Sequence, residues 1–193
     1  MEATTYESAE RALGARVGDT ALAHCRRVAV TAESLAREYG VDTQAARLAG
    51  LLHDWDRDIE HGQLLKKAAR YQIPITDVDA RWPYLLHAQT AAAELAEALP
   101  DIAPEVFAAI ARHTVGSSEM TDLDRVVYLA DILEPARTYD GVGELRAAIG
   151  HVPLDELFAR GYESSLARIV KQRRRIHPDS VRVWNALIAR GPR

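Results

Sequence analysis

The chain has 193 residues, 48% of them hydrophobic, with a formal net charge of -4 and one cysteine. That length suits one domain with a sizeable core, expected to span residues 1–193, and no apolar run is long enough to cross a bilayer. The acidic balance argues against broad DNA or RNA binding, and the single Cys25 excludes an intrachain disulfide and a cysteine-rich zinc site.

The charged stretch from Glu2 to Arg16 lacks the apolar core of a signal peptide, so a reducing cytoplasm is the expected location. From Asp19 to Tyr39, Leu22, Val28, Ala32, Leu35 and Tyr39 recur at three- and four-residue steps, which predicts a helix ended by a left-handed Gly40. His24 lies one turn before Val28, on or beside the buried stripe. Asp42 is placed to cap a second helix carrying Leu48, Leu51 and Leu52 into His53-Asp54. The two helices should run antiparallel, with His24 near one end of the second. Adjacent helical residues point about 100° apart, so His53 and Asp54 can converge on one ion only where the helix ends. Trp55-Asp56-Arg57-Asp58 reads as that exit.

A helix is expected around Gln63 to Tyr71, then a loose stretch from Ile73 to Pro83 punctuated by Pro74, Asp77, Asp79 and Pro83. Tyr84 to Leu99 reads as an alanine-rich helix with His87 in its first turn. Pro104 opens a helix running to His113, and Gly116 allows the turn that follows. Asp122 to Leu133 is apolar and helical, stopped by Pro135. Helices over Pro153 to Arg175 and Pro178 to Ala189 complete an all-α chain without alternating β patterns or internal repeats.

His24, His53, Asp54 and Asp131 together make an imidazole and carboxylate donor set. It suits iron, manganese, zinc or cobalt better than calcium. Asp131 sits between Ala130 and Ile132 on a strongly apolar helix, where burying a carboxylate without a cation is costly. His87 and His113 are open to two roles, ligands of a second ion or contacts to a phosphate. Cys25 adjoins His24 but points to another helix face, which gives it a packing role. Trp82 and Tyr84 either stack a base or cover the core, Glu134 is placed to orient a histidine, and His61 and His151 read as surface residues.

The ordered set His24, His53-Asp54, His87, His113, Asp131 resembles the signature of HD-superfamily metal-dependent phosphohydrolases. The strings Ala-Gly-Leu-Leu-His-Asp, Leu-Leu-His-Ala, Arg-His-Thr-Val-Gly, Tyr-Leu-Ala-Asp-Ile-Leu-Glu-Pro-Ala-Arg and Ile-His-Pro-Asp are similar to the YqeK branch of symmetrical diadenosine-tetraphosphate hydrolases. The likeness runs from about Thr20 to Asn185. It implies an HD-domain helical bundle with a metal site between helices, iron as the metal, and cleavage of diadenosine tetraphosphate to two ADP. By position, the resemblance assigns His24, His53, Asp54 and Asp131 to the metal. It assigns His87, His113, Thr114 and Arg137 to phosphate, with His53, Asp54, His87 and His113 doing the chemistry. Arg57 stands where the family often has lysine, and Arg27, Arg174 and His177 are expected near nucleotide.

Polyphosphate repels an attacking hydroxide, so a catalyst must neutralise the chain and activate water at neutral pH; metal ions do both. Arg57 and Arg137 add fixed positive charge, and a protonated His87 or His113 could donate to the leaving ADP. The competing expectations are a broader nucleotidase acting on nucleoside phosphates and a non-catalytic nucleotide sensor. Exposed apolar surface leaves room for a homodimer.

Overall fold

The computed structural model describes residues 3–189, and the described residues contain helices and no strand. In chain order the helices are α1 (Tyr6–Gly14), α2 (Asp19–Tyr39), α3 (Thr43–Leu52), α4 (His61–Arg70), α5 (Asp77–Arg81), α6 (His87–Ala98), α7 (Pro104–Arg112), α8 (Asp122–Leu133), α9 (Val142–Ala147), α10 (Leu154–Lys171) and α11 (Pro178–Ala189). No helix among the described residues is long and apolar enough to cross a membrane.

The pair α2 and α3 is the spine. Gly40 ends α2 with φ 70°, and Asp42 Oδ1 then accepts from Gln44 N at 2.8 Å and Ala45 N at 2.9 Å, satisfying two of the free donors at the start of α3. The buried face of α2 is built from small residues, Cys25, Ala29, Ala32 and Ala36 among them, so α3 can approach closely. Gly50 marks the contact: a Cβ there would lie 3.0 Å from Ala29 Cα and 3.1 Å from Val28 O. Helices α6, α7 and α8 close the core around this pair. Helix α10 covers α8 through Tyr128, Phe158 and Tyr162, whose ring centroids lie 5.3–5.5 Å apart.

The long predicted helices stand within a few residues of their expected bounds, and the differences have local causes. The charged N-terminal stretch contains α1, started by a reciprocal cap between Thr5 and Ser8 and buried through Ala9 and Leu13 only. The stretch read as loose contains α5, held by a similar cap between Thr76 and Asp79, and a 3-10 turn over Pro83–Leu86 leads directly into α6. His87 therefore opens α6 itself. Helix α10 stops at Lys171 rather than Arg175 because Arg173 adopts φ 54° and Arg174 N turns back to Ile169 O at 3.1 Å.

Candidate metal centre

Five helices deliver the imidazoles and carboxylates of interest. His24 comes from the second turn of α2, His53 caps the C-terminus of α3, His87 starts α6, His113 caps α7 and Asp131 lies in the last turn of α8. Asp54 follows His53 in a run of tight turns, with Trp55 N bonded to Leu52 O and Arg57 N to Asp54 O. The exit from α3 is thus the place where two adjacent side chains converge, as their spacing requires. Fully buried Asp56 pins this exit by accepting from Arg16 at 2.6 Å, Lys67 at 2.5 Å and Thr90 at 2.6 Å.

The four histidines are oriented alike. His53 Nδ1 lies 2.8 Å from Gly50 O, His87 Nδ1 2.6 Å from Tyr84 O and His113 Nδ1 2.8 Å from Ile110 O. A carbonyl only accepts, so each Nδ1 carries the proton and each Nε2 of the neutral ring presents a lone pair. His24 Nδ1 lies 3.2 Å from Glu134 Oε1, with the same consequence.

Those Nε2 atoms point at carboxylates. His24 Nε2 is 3.0 Å from Asp131 Oδ1 and 3.6 Å from Asp54 Oδ2, and His53 Nε2 is 3.3 Å from Asp54 Oδ2. Asp54 Oδ1 faces His87 Nε2 at 3.1 Å and His113 Nε2 at 3.8 Å. Two donor sets, His24 with His53 and Asp131 and Asp54 with His87 and His113, each have their ligand atoms within 4.8 Å of one another, and Asp54 Oδ2 joins them through His24 and His53.

This arrangement fits a cation. His87 and His113 bring their Nε2 atoms to 3.2 Å, and His53 Nε2 is buried without a hydrogen bond among the described residues. Lone pairs and anionic oxygens packed this way repel one another unless a proton or metal lies among them. Burial disfavours the Asp54 anion, but His53 and His87 outweigh it and hold the carboxyl well below its usual range. Burial likewise opposes ionisation of Asp131, which His24, His53 and Arg137 nonetheless keep charged. Burial, with His53 and His87 beside it, pulls His113 down to about 3, so its ring is neutral. His53 moves the other way: burial opposes its cation, and Asp54 more than compensates.

Arg57 bonds Asp54, and Arg137 bonds both the carboxylate and, at 2.9 Å, the carbonyl of Asp131. Both guanidiniums line a pocket of about 380 Å³ that also contains Tyr84, Thr114, Arg168 and Arg174. Thr114 Oγ1 stands 3.1 Å from His113 Nε2. Arg27 holds Glu134 through Nε at 2.7 Å and so supports His24 from behind.

His177 does not line this pocket. Its buried ring meets Asp79 Oδ2 at 3.2 Å and Thr76 Oγ1 at 3.4 Å, fastening the α10–α11 connection to α5. Cys25 is fully buried, as a packing residue should be, yet its sulfur belongs to a group with His53 and Asp54 and so lies nearer the centre than its helix face implies. Burial, together with Asp54, pushes its thiol upward, so it stays protonated. Trp82 is 41% exposed beneath Arg175, whereas Tyr84 packs on His87 with centroids 4.6 Å apart. His61 and His151 are exposed. Arg168 is a charged pocket residue that the sequence does not single out, since a basic residue late in a helix carries no motif.

The HD domain family model matches residues 21–136, a span holding all six candidate metal-facing residues. The chain belongs to the HD domain family. Within the family it is 32% identical over 140 residues, 72% of each chain, to the symmetrical bis(5'-nucleosyl)-tetraphosphatase of Staphylococcus aureus. It is 28% identical over 159 residues to the Bacillus subtilis enzyme of the same name, covering 82% of this chain and 84% of that one. A crystal structure from Clostridium acetobutylicum, described as a predicted HD superfamily hydrolase involved in NAD metabolism, superposes with a TM-score of 0.90 at 28% identity. It covers 98% of this chain and 100% of its own. The HD-family helical bundle, with its histidine and aspartate cluster between helices, is thus the fold that the sequence implied.

Proposed function

We propose that this HD-family enzyme hydrolyses diadenosine tetraphosphate at its centre, giving two ADP, with iron as its resident metal and manganese, cobalt or zinc as substitutes. The observation that carries the reading is the set of Nδ1-anchored histidines converging on Asp54 and Asp131 beneath two arginines. Relatives named for symmetrical cleavage supply the substrate. A sensor would have little use for so complete a ligand set, and nothing favours the broader nucleotidase.

His24, His53, Asp54 and Asp131 would hold the metal, whose chemistry is to polarise phosphoryl oxygens and acidify a water. Arg57 and Arg137 would exchange their carboxylate partners for phosphate oxygens as polyphosphate enters, neutralising charge that would repel the nucleophile. Thr114 and Arg174 would bind phosphate oxygens farther along the same pocket. Neutral His113 is unsuited to donate a proton, so it serves as an acceptor or ligand, and His87 is left as the donor to the departing ADP, a role that requires a second proton on its Nε2. Arg27 acts near nucleotide through its exposed edge, and His177 by holding the segment that carries Arg174. The whole chain would work as one cytoplasmic domain, without nucleic acid as partner and with a homodimer as its larger assembly.

Hydrolysis in heavy-oxygen water followed by mass spectrometry tests the reaction. One labelled ADP per turnover is expected. Labelled AMP or ATP as the main product overturns the assignment.

A further inference from the structure

A second pocket adjoins the first at the metal centre. It measures about 440 Å³ against about 380 Å³ for the first, and both fall within the roughly 300–1,000 Å³ of small-ligand sites. Arg57 and Arg137 line both. The metal-facing residues are divided between them: Asp54, His87, His113 and Asp131 open on the first pocket, His24 on the second.

A dinucleotide cut at its central bridge has a nucleoside diphosphate on each side of the bridging oxygen, and the reacting phosphorus belongs to one of them. When that bridge lies at the cluster, one pocket accommodates one half and leaves the other half without a site. We propose that the second pocket, lined by Thr20, Arg27, Asp58 and Ala136, is the subsite for the second ADP half; this rests on the symmetric-cleavage reading above. The charge pattern agrees with the assignment. Cationic Arg57 and Arg137 form the shared wall, where phosphates must pass, and Arg27 extends that charge into the second pocket alone. Exposed Asp19 and Asp58 also belong only to the second pocket. Carboxylates repel phosphate but accept hydrogen bonds from ribose hydroxyls, so a nucleoside rather than a longer phosphate chain suits that end.

The test uses two ligands with the same number of phosphates: diadenosine tetraphosphate with a methylene in place of the central bridging oxygen, and adenosine 5'-tetraphosphate, which lacks the second nucleoside. Calorimetry on metal-loaded protein should show the dinucleotide binding the wild type at least tenfold more tightly. Ala136→Trp and Thr20→Trp each fill the second pocket from an exposed position, and the first keeps the backbone N–H that Glu134 accepts at 2.7 Å. In both variants the dinucleotide should lose its advantage to within twofold, while adenosine 5'-tetraphosphate binds as to the wild type. Equal affinities in the wild type, an advantage that survives both substitutions, or equal weakening of both ligands overturns the subsite. Wild-type protein that binds neither ligand overturns the activity reading itself.

Discussion

Glu134 shows how a buried carboxylate can govern a metal-facing imidazole without facing the metal. It accepts from Arg27 Nε, from Ala136 N and from His24 Nδ1, which fixes the tautomer of His24 and the direction of its Nε2. Glu134→Gln keeps the shape and removes the charge, so metal affinity should fall about 10- to 100-fold, measured by competition against a chelator. An unchanged Kd would mean that Glu134 only packs. Cys25 provides the contrast. Its protonated thiol is a poor ligand, and Cys25→Ala should keep metal content and kcat/KM within twofold while losing about 1 kcal/mol of stability in denaturant melts. Loss of metal from that variant would make the sulfur a ligand. The six clustered residues were legible in the sequence because each lies inside or at the edge of an apolar helical segment, where an unpaired polar group needs a reason. Arg168 was not, and Tyr84 was left between stacking a base and covering the core, because whether such a side chain faces a pocket depends on how α10 and the Pro83–Leu86 turn pack.

At the level of elements, the spacing of α2 and α3 sets the distance between the His24 and His53 rings, whose centroids stand 5.3 Å apart. Gly50 permits that spacing. The atoms a Cβ would strike, Ala29 Cα and Val28 O, are backbone and cannot rotate away. Gly50→Ala gains about 1 kcal/mol of helix propensity but incurs about 1–3 kcal/mol of overpacking, so a net loss is expected. Because the strain moves α3 away from α2, metal affinity should fall together with Tm; a stabilised variant with unchanged metal binding would refute the close-contact account. Long amphipathic elements such as α2 and α8 could be read from periodicity, since many residues vote for the same face. Helices α1, α5 and α9 could not: α5 and α9 span barely more than a turn, and α1 buries only two residues. The capping pair Thr5 and Ser8 was the available signal for α1, and Thr76 with Asp79 for α5.

For the whole molecule, the candidate metal centre should act as a folding device as well as a reactive site. Its histidines and aspartates come from α2, the end of α3, α6, α7 and α8, so forming the cluster requires the whole helical core to assemble, and the unfolded chain offers no comparable set. Buried Asp54, half-buried Asp131 and the inward Nε2 atoms crowd one another when no cation is bound, with Arg57 and Arg137 as partial compensation. Binding that is confined to the folded state stabilises it by about 4 kcal/mol when free metal is roughly 1,000 times its Kd. For a chain of this size each kcal/mol shifts Tm by roughly 2–4 °C, so metal-loaded protein should melt about 10 °C above protein stripped with a chelator. Calorimetric scans of both forms, with metal content measured on the same samples, check this. Restoring Fe(II), Mn(II) or Co(II) should recover Tm and phosphoanhydride hydrolysis together, because the ion that joins the helices is the one assigned to the reaction. Identical melting of the loaded and stripped forms would separate folding from metal binding and show that the histidines and carboxylates are held in place by the core alone.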